Sequence, residues 1–350
     1  MLTAAGVITL GRVYFGCRRC GLGDFGADGV LGLDGGQTTR ARRLACLAGV
    51  EQSFARAERL LHELAGWRLD QETLRRLCHA EARQAAAWLE GAATPAAHFA
   101  AAEGDWELHI DAGKVNTPGG WRDVKVAVFA RRKRGGPACA AAWDGRDLPP
   151  PGARLTVAAV EEAASFGPRL RAQAARLGLA EASALTVLGD GGEWIWQLAE
   201  AQFAGASGLL DIYHACEHLS AAGKRVWGEG TGGAAAWLEE SRGLLLGDGW
   251  PGLLDAVGGL LTEADTAQRH AAKDELVTYF AKHTARLGYA GRLATGRSIG
   301  SGLVEGTIKQ IVTRRLKQTG ARWLAEHAGP FAQLCALAQG PDWADYWAAA

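Results

Sequence analysis

What the chain lacks narrows its class first. It has no surplus of charge: 38 Lys and Arg balance 38 Asp and Glu over 350 residues. Read as a total, that balance argues against a uniformly basic nucleic-acid binder. It has no apolar run long enough to span a bilayer, and its N-terminus shows no secretory signal pattern. Its seven Cys form no paired framework, which excludes a disulfide scaffold and points to a reducing compartment. It contains no internal repeat, and its abundant Gly and Ala read as compositional bias. The length suits one large domain or two to three smaller ones, with aliphatic content enough for a sizeable core.

The charge is unevenly placed. Basic residues cluster at Arg40, Arg42 and Arg43, at Arg131-Arg132-Lys133-Arg134, and at Arg314-Arg315-Leu-Lys317, while acidic residues are scattered. Such clusters are either solvated faces or the footprint of phosphate contact. Three carboxylates stand out against that background. Asp111 ends Trp106-Glu-Leu-His-Ile-Asp111, Asp190 ends Ala184-Leu-Thr-Val-Leu-Gly-Asp190, and Glu305 opens a basic helix within Ser301-Gly-Leu-Val-Glu305. Each alone reads as a turn former, a helix cap or a solvated residue. Three carboxylates able to converge supply the hard oxygen ligands that two Mg²⁺ or Mn²⁺ ions need for chemistry on a phosphodiester.

The pattern divides the chain into segments. Residues 1–36 read as a small β element, with short strands at 7–10 and 12–15 and the half-site Cys17-Arg-Arg-Cys20-Gly. Cys17 and Cys20 are a zinc half-site without a second half, or a tight turn with two thiols. Residues 37–92 read as helical: one helix over 39–49, one starting at Ser53, and one capped by Asp70. With Arg75 and Arg76 exposed this fits a helix-turn-helix DNA-binding region, although any helical hairpin looks similar. Residues 91–104 read as a linker.

Residues 105–218 change to strand periodicity. Strands are expected at 108–111, 124–130 and 137–143, a helix at 157–177, a strand ending at Asp190, a helix at 194–203, and a strand at 208–211 leading into a helix with His214 and His218. The α/β order β-β-β-α-β-α-β-α is that of a ribonuclease H-like core, in which the first and fourth strands are neighbours and bring Asp111 to Asp190. Residues 219–296 read as a helical insertion. Residues 297–340 hold a final core helix over 303–320, carrying Glu305, and a C-terminal helix. Trp194 and Trp196 read as core packing before base stacking. Lys309, Arg314, Arg315, Lys317 and Arg322 extend the Glu305 helix with positive charge. Arg131, Arg132, Lys133 and Arg134 are expected in a turn between strands, positioned for DNA phosphates as well.

Four motifs carry a resemblance. His109-Ile-Asp111-Ala-Gly-Lys, Leu188-Gly-Asp190-Gly-Gly-Glu-Trp-Ile-Trp, Leu210-Asp211-Ile-Tyr-His214-Ala-Cys-Glu-His218-Leu and Arg297-Ser-Ile-Gly-Ser-Gly-Leu-Val-Glu305-Gly-Thr-Ile-Lys-Gln together resemble the ISKra group of bacterial insertion-sequence transposases. That group belongs to the DDE class and is distantly similar to Mutator-like transposases. The likeness runs from about residue 7 to about residue 337, and Cys17 and Cys20 are similar to the group's N-terminal Cys-x-x-Cys element. The group usually carries more sequence ahead of the first strand, so the likeness implies a chain that begins inside a domain. It implies a catalytic triad of Asp111, Asp190 and Glu305 holding two Mg²⁺, with Asp211 and His214 as an accessory pair. His214 would touch the scissile phosphate or brace a metal ligand; otherwise Asp211 is a helix cap beside a packed His. The implied activity is cleavage at the element's ends and transfer of the freed 3′-hydroxyl into target DNA. The implied partners are DNA and further copies of the chain, with no membrane, in the bacterial cytoplasm at the nucleoid. Other readings of the same residues are a metal-dependent nuclease or resolvase, an inactive DNA-binding descendant, and a glycosidase, against which the basic clusters count.

Overall fold

The computed structural model describes residues 1–91, 94–260 and 266–350 of a mixed α/β protein. In the first segment only two-residue strands form, among them Gly6–Val7 and Phe15–Gly16, in place of the longer strands expected at 7–10 and 12–15. Val7, Val13, Phe15 and Leu22 stand largely exposed, so this stretch has no core to align longer strands against.

Helices α1 (Thr39–Glu51), α2 (Phe54–Ala65) and α3 (Gln71–Gly91) follow. Each starts where a side-chain oxygen satisfies free N–H groups: Thr38 accepts from Ala41 N, Ser53 from Arg56 N, and Asp70 Oδ1 from both Glu72 N and Thr73 N. Much of the expected linker is helix α4 (Thr94–Ala101), seated through the buried Phe99, whose ring stacks on Trp106 at 5.3 Å; residues 92–93 of that linker lie outside the described residues.

The sheet has strands β1 (Asp105–Thr117), β2 (Gly120–Arg132), β3 (Ala153–Ala159), β4 (Leu185–Gly189) and β5 (Ser207–Leu210). Their spatial order is β5-β4-β1-β2-β3. Only β2 runs against the others: it is antiparallel to β1 and β3, β4 is parallel to β1, and β5 is parallel to β4. The first and fourth strands are therefore neighbours. The third strand differs from expectation. Residues 137–143 hold a single 3₁₀ turn, Ala140–Ala142, and the strand lies at Ala153–Ala159. There Leu155 and Val157 alternate inward from the run of Pro at 149–151, whereas 138–142 is mostly Ala and offers little side chain for a pleated surface. The following helix, α5 (Ala163–Arg176), accordingly starts later than 157.

The two faces of the sheet are covered differently. Leu108, Ile110, Ala127, Phe129, Leu155, Leu185 and Val187 pack under α5 and α6 (Glu193–Gln202). Each of the Leu, Ile, Val and Phe side chains among them contributes about 1.5–3 kcal/mol of apolar burial. The same core continues into α7 (Ile212–Trp227), α8 (Gly232–Gly259), α9 (Ala267–Ala281) and α10 (Tyr289–Ala294), the region expected as a helical insertion; its residues 261–265 lie outside the described residues. On the other face Val115, Val124, Val126 and Val128 meet α1, α3, α11 (Gly302–Ile308) and α12 (Ala325–Ala338) in one cluster. The helix expected over 303–320 stops at Leu316, because α11 runs on as a π-helix, Lys309–Leu316. Gly113 on β1 lets it lie close, since a Cβ there would stand 2.9 Å from Val312. A last helix, α13 (Asp342–Ala349), closes the chain. No helix among the described residues is long and apolar enough to cross a membrane.

Candidate metal centre at the strand ends

Alternation on β1 puts Asp105, Glu107, His109 and Asp111 on one face, the face that α11 crosses. Gly189 pairs with Ile110, so Asp190, the next residue, stands level with Asp111 on the neighbouring strand. At the usual strand spacing of about 4.8 Å the two carboxylates are side by side. Asp190 Oδ1 accepts from Gly192 N at 2.9 Å, and Tyr279 from α9 donates its hydroxyl to Asp190 O at 3.0 Å. Glycine at 191 is required here twice over: its φ is 100°, and a Cβ would come 2.7 Å from that tyrosine oxygen.

Asp211 follows β5 and is fully buried. Its Oδ1 accepts from His214 N at 2.8 Å, capping α7, and its Oδ2 accepts from Ser301 N. Ser301 Oγ in turn donates to Glu305 Oε1 at 3.2 Å. One carboxylate thus ties the start of α7 to the turn that launches α11. Gly300 keeps that turn close, because a Cβ there would stand 2.9 Å from the Tyr213 ring. Asp211, His214 and Glu305 offer ligand atoms that all lie within 4.8 Å of one another. Both Asp211 oxygens already accept from backbone N–H groups, so its main part is to hold His214 and Glu305 in place. Asp211→Ala should cost about 2–4 kcal/mol, from a lost cap and a stranded Ser301 N–H. Thermal unfolding checks this, and an unchanged Tm would contradict it.

The segment before α11 is clamped along the same face of β1. Arg297 Nε donates to Asp105 Oδ2 at 2.8 Å, and Ser298 donates to Glu107. Glu107 also accepts from Arg132 Nε at 3.0 Å and lies 3.1 Å from His109 Nε2. Burial works to raise the Glu107 carboxyl, but His109, the Arg132 charge and Ser298 outweigh it and hold the group at about 2. This end of β1 is neutralised by cations from the chain itself.

Asp111 has no such neutralisation. Burial pushes its carboxyl up to about 6; a bond from Ala112 N and the His214 ring lower it, and the Asp190 and Glu305 carboxylates raise it further. Asp111 thus feels the Asp190 and Glu305 carboxylates and the His214 ring, while among the described residues the side chains here whose ligand atoms fall within 4.8 Å of one another are Asp211, His214 and Glu305. Carboxylates gathered with an imidazole suit one or more divalent cations.

No protein-family model and no curated protein matches the chain. The assignment of this site rests on its own geometry.

The expected DNA-contacting cations divide by burial. Arg131 and Arg132 end β2 and do not form a turn. Arg132 is buried in the Glu107 pair and so is not free for phosphate, while Arg131 is half-buried, lying over the Trp106 ring with its Nε donating to Gly104 O. Lys133 is exposed beside Glu103 at 2.8 Å, and Arg134 pairs with Asp105. Arg75 pairs with Glu72 at 2.6 Å, and Arg76 is exposed. Lys309 and Arg314 are exposed on the π-helical stretch and Lys317 is exposed just after it, but Arg315 turns inward. It donates to Gly49 O at 2.7 Å and lies over the rings of Phe54, Trp323 and Phe331. Arg315→Ala should therefore destabilise the fold by roughly 2–4 kcal/mol, seen as a lowered Tm. Arg314→Ala should leave Tm unchanged and weaken DNA binding. The reverse pattern would contradict the placement.

Cys17 and Cys20 are exposed in the turn between Phe15–Gly16 and Gly23–Asp24, and N–H groups of Cys20 and Arg19 lower the Cys17 thiol. Among the described residues no third ligand joins them, and Cys46 and Cys78 are buried in the core under α1 and α3. Trp196 is buried, and Trp194 carries Lys125 over its ring at 5.3 Å.

Sequence reasoning missed the residues that hold the site. Tyr279 bonds Asp190 O from 89 residues away and Tyr289 bonds Leu210 O from 79, fixing the ends of β4 and β5. Nothing local in the sequence marks either tyrosine. Ser298 and Ser301 do lie inside the fourth motif, and Glu107 lies two residues ahead of the first, where a charged residue at a buried strand position was the available signal.

Proposed function

We propose that the chain is a DNA transposase of an insertion sequence, a DDE enzyme with a ribonuclease H-like core. The observation that carries the reading is that Asp111 on the first strand lies level with Asp190 after the fourth and feels the charge of Glu305 on the final core helix. The strand order, with only the second strand antiparallel, is the order such a core requires. The four motifs named above supply the family-level likeness.

Divalent cations, Mg²⁺ or Mn²⁺, would be held by Asp111, Asp190 and Glu305, and when bound they supply charge stabilisation for an in-line displacement at phosphorus. The chain does the positioning. Asp211 sets the height of Glu305 above the sheet, Tyr279 fixes the backbone of Asp190, and His214 stands at the cluster's edge, partly exposed, where a donor can reach a phosphate oxygen. Arg314, Lys317 and Lys309 extend from the same helix and would hold the DNA backbone beside the cleft. Because such contacts release counterions, affinity should fall with salt at a logarithmic slope of roughly −0.9 per phosphate engaged.

The test is strand transfer. The purified chain is mixed with a labelled duplex bearing the element's own end, a target plasmid and Mg²⁺ or Mn²⁺. Joined product supports a transposase. Cutting without joining would point to a nuclease, and salt-sensitive binding without cutting to an inactive descendant.

A further inference from the structure

A second group of ligand-bearing side chains lies away from the carboxylate cluster. His98 on α4 faces Asp342 and Asp345 on α13, and the three offer ligand atoms all within 4.8 Å of one another. His98 Nδ1 stands 3.3 Å from Asp342 Oδ1, and Nε2 stands 3.7 Å from Asp345 Oδ2. Asp342 is 5% exposed, and among the described residues its Oδ1 and Asp345 Oδ2 meet the His98 ring, at 3.3 and 3.7 Å, without the alignment of a full hydrogen bond. A buried carboxylate oxygen without a donor is costly unless something else satisfies it. Burial raises the Asp342 carboxyl and so does Asp345, while His98 lowers it. Arg154 on β3 lines the adjoining cavity and donates to Gln339 O at 2.9 Å. Beside the group a cavity of about 360 Å³, lined by His98, Gly152, Arg154 and Asp342, opens toward solvent and leaves room for water ligands.

We propose that His98, Asp342 and Asp345 form a second divalent-cation site that pins the C-terminal helix α13 to α4. One imidazole and two carboxylates suit a transition ion such as Zn²⁺ or Mn²⁺ better than Mg²⁺, which favours all-oxygen shells. His98 and Asp345 are partly exposed, so water completes the shell and the ion exchanges. The ion joins a helix ahead of the sheet to the last helix of the chain, so its effect is on the docking of α13.

The experiment uses the full chain with Cys17→Ser and Cys20→Ser, so that the thiol pair takes no Zn²⁺, and with excess Mg²⁺ to fill the carboxylate cluster. Equilibrium dialysis against micromolar Zn²⁺ counts bound zinc, and thermal unfolding reads Tm with and without it. The expected result is about one Zn²⁺ per chain with a raised Tm, both lost in His98→Gln and in Asp345→Asn. These side chains are partly exposed, so both variants fold, which circular dichroism verifies. Absence of bound Zn²⁺, or the same stoichiometry and Tm rise in both variants, overturns the proposal.

Discussion

Asp190→Asn should abolish metal-dependent strand transfer, by on the order of 10³-fold or more, as expected where ligands act as a unit. The amide has the same shape, and its oxygen can still accept from Gly192 N, so the turn after β4 is preserved. The Tyr279 bond is to the backbone carbonyl and is unaffected. What the variant loses is one negative charge beside Asp111, and with it a hard oxygen ligand. The measurement is joined product per unit time at saturating Mg²⁺, with circular dichroism as the folding control. Near-normal joining by a folded variant would remove Asp190 from the chemistry.

The second large effect is on stability. The Asp111 carboxyl is raised to about 6 from an ordinary value of 3.8, chiefly by burial and secondarily by Asp190 and Glu305. For a group whose folded pKa is raised, the stabilising contribution is present below pH 4 and lost as pH rises through about 6. The metal-free chain is therefore penalised at neutral pH by up to about 3 kcal/mol at this one residue. Asp111→Asn removes the penalty, so the metal-free variant should melt several degrees above the parent at pH 7.5, with the gap closing near pH 4. Added Mg²⁺ should raise the Tm of the parent and close the gap from the other side. A variant less stable than the parent at pH 7.5, or a gap that does not change with pH, would show that Asp111 is an ordinary structural residue. The opposed signs for activity and stability are the mark of a site held under electrostatic strain for a bound ligand.

The neighbourhood of Asp111 and Asp190 was legible because both follow apolar strand-like runs and are followed within two residues by glycine. The run before Asp190 does mark a strand end, but β1 continues past Asp111 to Thr117, so the strand expected at 108–111 was drawn too short; the order of elements fixes which strands are neighbours. Helix starts were legible for a similar reason, since Thr38, Ser53 and Asp70 are capping residues directly ahead of helical spacing. The third strand was not. Alanine-rich 138–142 and the true strand Ala153–Ala159 are both short apolar runs, and periodicity alone does not separate them from helix. The basic runs misled for a different reason. Arg131-Arg132-Lys133 and Arg314-Arg315 look uniform in sequence, but strand alternation and the π-helical turn send Arg132 and Arg315 inward, to Glu107 and to a cage of aromatic rings. Charge in a sequence does not report which side of an element it occupies. Tyr279 and Tyr289 were beyond reach altogether, because their partners are set by how the insertion helices pack on the ends of β4 and β5.

If Asp111, Asp190 and Glu305 hold a divalent cation together, a redox-active ion bound there will mark them. Replacing Mg²⁺ by Fe²⁺ in the presence of ascorbate and hydrogen peroxide generates short-lived oxidants at the bound ion, which cut nearby backbone. The account predicts fragments ending close to residues 111, 190 and 305, suppressed by excess Mg²⁺ and absent in Asp190→Asn. Cleavage that appears only elsewhere in the chain, or none above the iron-free background, would contradict it.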